Sequence, residues 1–210
     1  MKKISFLLLL LLLAGGAFNG SLFSCQNNEN PDAWEHYHNS YQPPAQVMDS
    51  LGVKPGMIIA EVGAGRGRYA VQMARRTGHS GKVYANDIDQ EALDYLKFRC
   101  KRDSIQNVVI IKGSVTDPCL PKYEMDLVYM INTYHHLDKP VDLLKNLTSG
   151  LKPQGVLAII EHDPEKVKDS GAHSTAKDVV IKQAGQAGFA LEKILTFLSK
   201  DTIYIFKVKK

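Results

Sequence analysis

The chain is poor in cysteine: three in 210 residues, too few for the disulfide framework of a small secreted scaffold. Cys100 and Cys119 have no CxxC partner and no adjacent histidine at metal spacing, which argues against the common zinc signatures. The two thiols fit either a disulfide or two unlinked side chains. An excess of one charge is lacking as well. Lys and Arg number 26 against 22 Asp and Glu, for a formal net charge of +4, and the basic residues are scattered, with only short pairs such as Arg75-Arg76 and Lys209-Lys210. Without a stripe that could track phosphates, no nucleic-acid partner is expected. A membrane-spanning run is missing too, because the apolar stretch from Ile4 to Ala14 falls short of the ~20 residues a spanning helix needs. What is present, 44% hydrophobic and 23% charged residues, is the composition of one globular domain.

The N-terminal segment reads as an address. Lys2-Lys3 followed by the apolar run is the pattern of a secretory signal over residues 1–24. Leu22-Phe23-Ser24-Cys25 resembles a bacterial lipobox, in which the cysteine becomes the lipidated N-terminus; Phe23 departs from the small residue usual there. A cut after Ala17 is the competing reading. The expectation is therefore an exported lipoprotein of the bacterial cell envelope, held at the membrane by lipid on Cys25. A polar tether over residues 25–33 would lead into a domain over 34–210.

From Trp34 onward, apolar runs of strand length alternate with longer amphipathic stretches, the pattern of a parallel sheet covered by helices. Strands are expected at Met57–Val62, Lys82–Asn86, Val108–Lys112, Met125–Ile131 and Gly155–Glu161. The helices between and around them are expected at Ala45–Leu51, Tyr69–Arg76, Gln90–Arg102, Val141–Leu147 and Lys177–Ala187. Leu191–Leu198 and Thr202–Val208 would close the chain as an antiparallel hairpin, because the turn Ser199-Lys200-Asp201 is too short for a crossover. The fold class is thus α/β: a Rossmann-like, doubly wound seven-stranded sheet, mostly parallel with an antiparallel C-terminal hairpin.

Glu61-Val62-Gly63-Ala64-Gly65-Arg66-Gly67 ends the first strand and opens a helix, where glycines let a ligand approach backbone amides closely. Asp87 stands at the end of the second strand, about 20 residues after Gly67, the spacing of a carboxylate that accepts ribose hydroxyls. The loop reads GxGxG rather than the GxGxxG of dinucleotide binders, and Glu61 stands two residues before its first glycine. That carboxylate would repel a pyrophosphate and attract a sulfonium or ammonium. On these residues the chain resembles the class I S-adenosylmethionine-dependent methyltransferases from about Trp34 to Lys210. The resemblance extends to Leu51-Gly52-Val53-Lys54-Pro55-Gly56, to Gly81–Asp89 and to Leu151-Lys152-Pro153-Gln154-Gly155.

The resemblance implies S-adenosylmethionine as cofactor. Its methionine part would lie on Glu61, Gly63, Ala64, Gly65 and Gly67, its ribose on Asp87 and its adenine on Ile88. Gly113-Ser114 would face the adenine edge, although Ser114 replaces the aspartate frequent there, and Asn132 would border the methionine end. In Asn132-Thr133-Tyr134-His135-His136-Leu137, Tyr134 and His135 are expected in the acceptor pocket and His136 beneath the next helix. If the acceptor must lose a proton, His135 is the first candidate base and His162, in Glu161-His162-Asp163, the second. Metal ligation by His135, His162, Asp163 and His173 is a weaker reading, since nothing fixes their spacing, and no metal is expected. The aromatic, histidine-rich stretch Trp34–Tyr41 would either fold over the cofactor as a lid or dock into a groove.

The function expected is methyl transfer to a small-molecule acceptor. The alternatives are a lipid-anchored, non-catalytic binder of a nucleoside-like ligand and an NAD-dependent oxidoreductase. Glu61 and the GxGxG loop speak against the oxidoreductase.

Overall fold

The computed structural model describes residues 31–168 and 173–209; the expected signal segment and Cys25 lie outside them. The strands are β1 (Ile58–Val62), β2 (Lys82–Asp87), β3 (Val108–Lys112), β4 (Met125–Ile131), β5 (Leu151–His162), β6 (Phe189–Leu195) and β7 (Asp201–Val208). The helices are α1 (Pro31–Tyr41), α2 (Pro44–Ser50), α3 (Ala70–Thr77), α4 (Gln90–Arg102), α5 (Pro140–Thr148), α6 (Pro164–Val167) and α7 (Lys177–Gln186), with a 3-10 turn at Tyr134–His136.

One sheet carries all seven strands in the order β3-β2-β1-β4-β5-β7-β6. β1 through β5 pair in parallel, and β7 enters antiparallel between β5 and β6. The chain starts in the middle, runs outward to β3 and returns to the other side at β4. The crevice above the carboxyl ends of β1 and β4 is therefore the point where the winding reverses, the place where such sheets bind ligands.

Strands with apolar residues on both sides are required because helices cover both faces. Alternation decides which face each residue serves. Ile59, Val83, Leu127, Tyr129 and Ile160 pack with α3 and with Leu96 and Cys100 of α4. Val62, Val128, Met130, Ile159 and Phe206 pack with Leu143, Leu144 and Leu147 of α5 and Val180 and Ala184 of α7. Helix starts follow local chemistry. Asp89 caps α4 by accepting from the amides of Glu91 and Ala92, a cap worth about 1 kcal/mol, and proline opens α2 and α5.

Most boundaries fall within one residue of the sequence expectation, and the larger differences lie at the start of α1, the start of β5 and both ends of β6. α1 starts at Pro31, inside the stretch assigned to the tether. β5 starts at Leu151 and runs through Pro153, because its pairing with β4 shifts register between Met125 and Leu127 and so absorbs the extra residues. β6 starts at Phe189, directly after Gly188 reverses the chain at φ 91, which pairs Phe189 with Val208. Leu198, expected to end that strand, is buried against the first core instead. Cys100 is buried, Cys119 is exposed and both are free thiols. Among the described residues no helix is long and apolar enough to cross a membrane.

Candidate active site

A pocket of about 730 Å³ opens above the carboxyl ends of β1, β2 and β4, within the size range of small-molecule sites. Its floor is the glycine loop. Gly63, Gly65 and Gly67 all have positive φ, at 79°, 50° and 82°. Two of them are closed in by packing: a Cβ on Gly63 would lie 2.3 Å from the Thr133 side chain, and one on Gly67 2.2 Å from Leu96. Gly65 differs, with nothing within 4 Å of the Cβ position. Its bare backbone faces the pocket, the cradle a close-approaching ligand needs.

Asp87 holds this loop in shape. One carboxylate oxygen accepts from the Gly65 amide at 2.7 Å, and the other accepts from the Asp89 amide at 2.9 Å, at the start of α4. The expected ribose carboxylate thus also ties the glycine loop to the next helix, and it lines the pocket with Ile88, whose side chain stays exposed.

Glu61 is buried at the end of β1 and accepts a hydrogen bond from the Tyr129 hydroxyl at 3.0 Å. Burial pushes its carboxyl up to about 8; the Tyr129 bond and the charge of Arg68 oppose the rise. Arg68 is buried on the same pocket, where it donates to Asn39 Oδ1 at 3.1 Å and Gln42 Oε1 at 2.5 Å. Its guanidinium also stacks on Tyr69, 4.6 Å from the ring centre. A buried carboxyl and a buried guanidinium therefore share one pocket, a pairing suited to the two ends of an amino acid.

Asn132 follows β4 in the left-handed region, at φ 49. Its Oδ1 is buried with no hydrogen-bond partner among the described residues, and the residue lines the pocket. A strained backbone and an orphaned acceptor together mark a position kept for a ligand. Ser114 lines the pocket, but its hydroxyl is engaged in its own loop, accepting from the Asp117 amide at 3.1 Å. Gly113 stands behind it, where a Cβ would lie 2.4 Å from Asn86 Nδ2. Of the residues expected on the cofactor, Glu61, Gly63, Ala64, Gly65, Asp87, Ile88, Ser114 and Asn132 line one pocket, while Gly67 and Gly113 support its walls.

The residues expected on the acceptor side are arranged otherwise. Tyr134 is buried in the second core and donates to Gln183 Oε1 at 2.8 Å, away from the pocket, because its position in the 3-10 turn points it at α7. His135 is turned to β5, with Nδ1 2.5 Å from Glu161 Oε1. His162 Nδ1 lies 2.7 Å from Asp201 Oδ1, across the β5–β7 pair. Neither ring lines the pocket; His136, expected beneath the helix, does. The imidazoles stack rather than converge: His135 lies 6.1 Å from His162 and 6.2 Å from His173, with interplanar angles of 13° and 17°. Asp163 instead caps α6 and accepts from the Thr202 hydroxyl. Among the described residues no group of three or more His, Cys, Asp or Glu side chains is placed to hold a metal.

Sequence reasoning missed Arg68, one residue beyond the glycine loop, and Tyr95, on the pocket side of α4; it named His136 within Asn132–Leu137 but placed it beneath the next helix instead of on the pocket. The stretch Trp34–Tyr41 lies in helix α1, whose Trp34, Glu35 and His38 line the pocket. Glu35 pairs through both oxygens with Arg99 of α4, and Lys200 Nζ donates to the Tyr37 hydroxyl at 2.9 Å.

Comparison with known proteins agrees with this geometry. The family described as "Methyltransferase domain" matches residues 59–155. The uncharacterized methyltransferase YdaC of Bacillus subtilis (strain 168) is 32% identical over 137 residues, covering 62% of this chain and 73% of that protein. The ubiquinone/menaquinone biosynthesis C-methyltransferase UbiE of Laribacter hongkongensis is 26% identical over 128 residues, 61% of this chain and 48% of that protein. The chain spans about half the length of that relative. Among solved structures, a SAM-dependent methyltransferase from Aquifex aeolicus superposes with a TM-score of 0.73 at 27% identity, covering 78% of this chain and 88% of the other.

Proposed function

We propose that this chain, which belongs to the class I S-adenosylmethionine-dependent methyltransferases, transfers a methyl group to a small-molecule acceptor held between α1 and the 3-10 turn. When bound, S-adenosylmethionine supplies a methyl group already activated by its sulfonium. The protein therefore contributes approach geometry and exclusion of water, effects worth up to ~7–11 kcal/mol in favourable cases. Glu61 and Arg68 would take the ammonium and carboxylate of the methionine part, with Asn132 Oδ1 as a further acceptor. Asp87 would take the ribose and Ile88 the adenine, and Gly65 would leave room for the ligand against the backbone. The single observation that carries the reading is the presence in one pocket of a buried carboxyl, Glu61, and a buried guanidinium, Arg68, beside Asp87.

The test is calorimetric titration of S-adenosylmethionine and S-adenosylhomocysteine into the purified protein. Micromolar binding is expected, and S-adenosylhomocysteine should form when an acceptor is supplied. Tighter binding of NADH, or binding without turnover, would overturn it. We further infer a lipid anchor on Cys25 and export to the cell envelope, supported by Lys2-Lys3, the apolar run and the Leu22-Phe23-Ser24-Cys25 stretch. Incorporation of a labelled fatty acid that disappears in Cys25→Ala is the expected result; equal labelling of both chains would sink this inference.

A further inference from the structure

We propose that His136 is the proton acceptor of the reaction, and that the methyl acceptor accordingly presents an O–H or protonated N–H group. The inference rests on the methyl-transfer reading and narrows its substrate class.

The 3-10 turn after β4 puts two histidines side by side with opposite orientations: His136 on the pocket and His135 against β5. Their ring centres are 4.1 Å apart, so charge arriving on one ring is felt by the other. Behind His135 stands Glu161, whose side chain is fully buried. One of its oxygens faces His135 Nδ1 at 2.5 Å; the other is buried with no hydrogen-bond partner among the described residues. A buried carboxylate with unused acceptor capacity is costly, and it becomes favourable where positive charge develops nearby. A proton taken up by His136 supplies that charge.

Three groups act on His136: His135 in its own turn and His173 in the following segment oppose its protonation, and Glu161 on β5 favours it, while Asp138 lines the same pocket. Desolvation at the pocket wall and the two histidines prevail and hold its pKa below the ordinary imidazole value although the residue is exposed, so the ring is neutral near neutral pH and free to accept a proton. Thiols and activated carbons need little such help, whereas alcohols, phenols and ammonium groups do. In the step, the bond from the acceptor heteroatom to the methyl carbon forms as the methyl–sulfur bond breaks. The electron pair stays on sulfur as a thioether, and the acceptor's proton passes to the free ring nitrogen of His136, to be released to solvent afterwards.

The test uses methyl-labelled S-adenosylmethionine with three probes: catechol, 2-phenylethylamine and thiophenol. Methylation of catechol or the amine is expected, with kcat/KM falling on the acid side as one group becomes protonated. His136→Gln should lower the rate by ~10²- to 10⁴-fold and abolish that acid limb. Its S-adenosylhomocysteine affinity should stay within about twofold of wild type. Imidazole added to His136→Ala should restore part of the rate, a rescue that a merely structural role would not produce. In Glu161→Gln the acid limb should move to lower pH, because the group that favours the protonated ring is gone. Methylation of thiophenol alone, of no probe, or at an unchanged rate and pH profile in His136→Gln would overturn the proposal. Failure of the wild-type protein to bind S-adenosylhomocysteine would instead remove the methyl-transfer reading on which it rests.

Discussion

The wall of the pocket around the glycine loop is made by residues close together in the chain, whereas the wall around the histidines is assembled from separate segments. In the first, Glu61 to Arg68 and Asp87 to Asp89 come from the ends of adjacent parallel strands, β1 and β2, tied by the Gly65–Asp87 hydrogen bond. In the second, α1 and His136 of the 3-10 turn supply lining side chains, while the end of β5, the start of β7 and His173 stand behind the turn, outside the pocket. A backbone-built wall tolerates little change in the glycines that shape it. A side-chain-built wall can change its chemistry one residue at a time, as a family with one cofactor and many acceptors requires.

The sharpest way to break this contrast is at Asp87, which serves the first wall twice. Asp87→Ala removes the tie to Gly65 and the carboxylate expected on the ribose. With charge-assisted bonds worth ~1.5–3 kcal/mol each, affinity for S-adenosylhomocysteine should fall about 100-fold or more. Calorimetry that found it unchanged would show that the loop holds itself.

Glu61 gives a smaller, pH-dependent effect. With its carboxyl raised to about 8 by burial, the free protein carries it protonated at neutral pH, while the ammonium of a bound ligand requires the ionised form. Affinity should weaken as pH falls from about 8 towards 6, by at most ~10-fold per unit, with a proton released on binding. In Glu61→Gln the dependence should flatten. Stability has its own sign. The folded chain keeps a proton that the unfolded one loses above 4.5. Stability should therefore decline as pH rises from about 4.5 to about 8 and stay level beyond, a slope that Glu61→Gln should remove in urea melts.

The smallest effect is expected at Tyr134. Tyr134→Phe removes only the hydrogen bond to Gln183, at a cost of ~0.5–1.5 kcal/mol in unfolding free energy, with ligand affinity unchanged. A large loss of binding there would mean that the acceptor wall extends into the second core.

The first wall was legible in the sequence because its signal is local. A glycine needed at positive φ, a carboxylate two residues before it and an aspartate at the next strand end all sit at spacings set by one β-α-β unit. The histidines were legible only as residue types. Their roles turned on which way a three-residue turn rotates: a step along it sends Tyr134 into the core, His135 to Glu161 and His136 to the pocket. No periodicity in the sequence specifies that rotation, since it depends on α7 and β5 packed against the turn. The start of α1 was obscured for a related reason. Its polar and aromatic residues form no apolar stripe, and it is held by side-chain pairs to distant partners, Glu35 to Arg99 and Asn39 to Arg68.

By itself the sequence determined the alternation of strands and helices, the closing antiparallel hairpin, the glycine loop and the acidic residues at the ends of β1 and β2. These follow from patterns only a few residues to one supersecondary unit long, where side-chain periodicity and backbone freedom act alone. The tertiary structure decided that Arg68 stands buried with Glu61, that Asp87 braces the glycine loop, and that His136 rather than His135 lines the pocket. It also decided that Glu161 and Asp201 are buried beside imidazoles. Each depends on groups tens of residues apart being packed and desolvated together, and both the direction of a side chain and the protonation of a buried carboxyl follow from that environment.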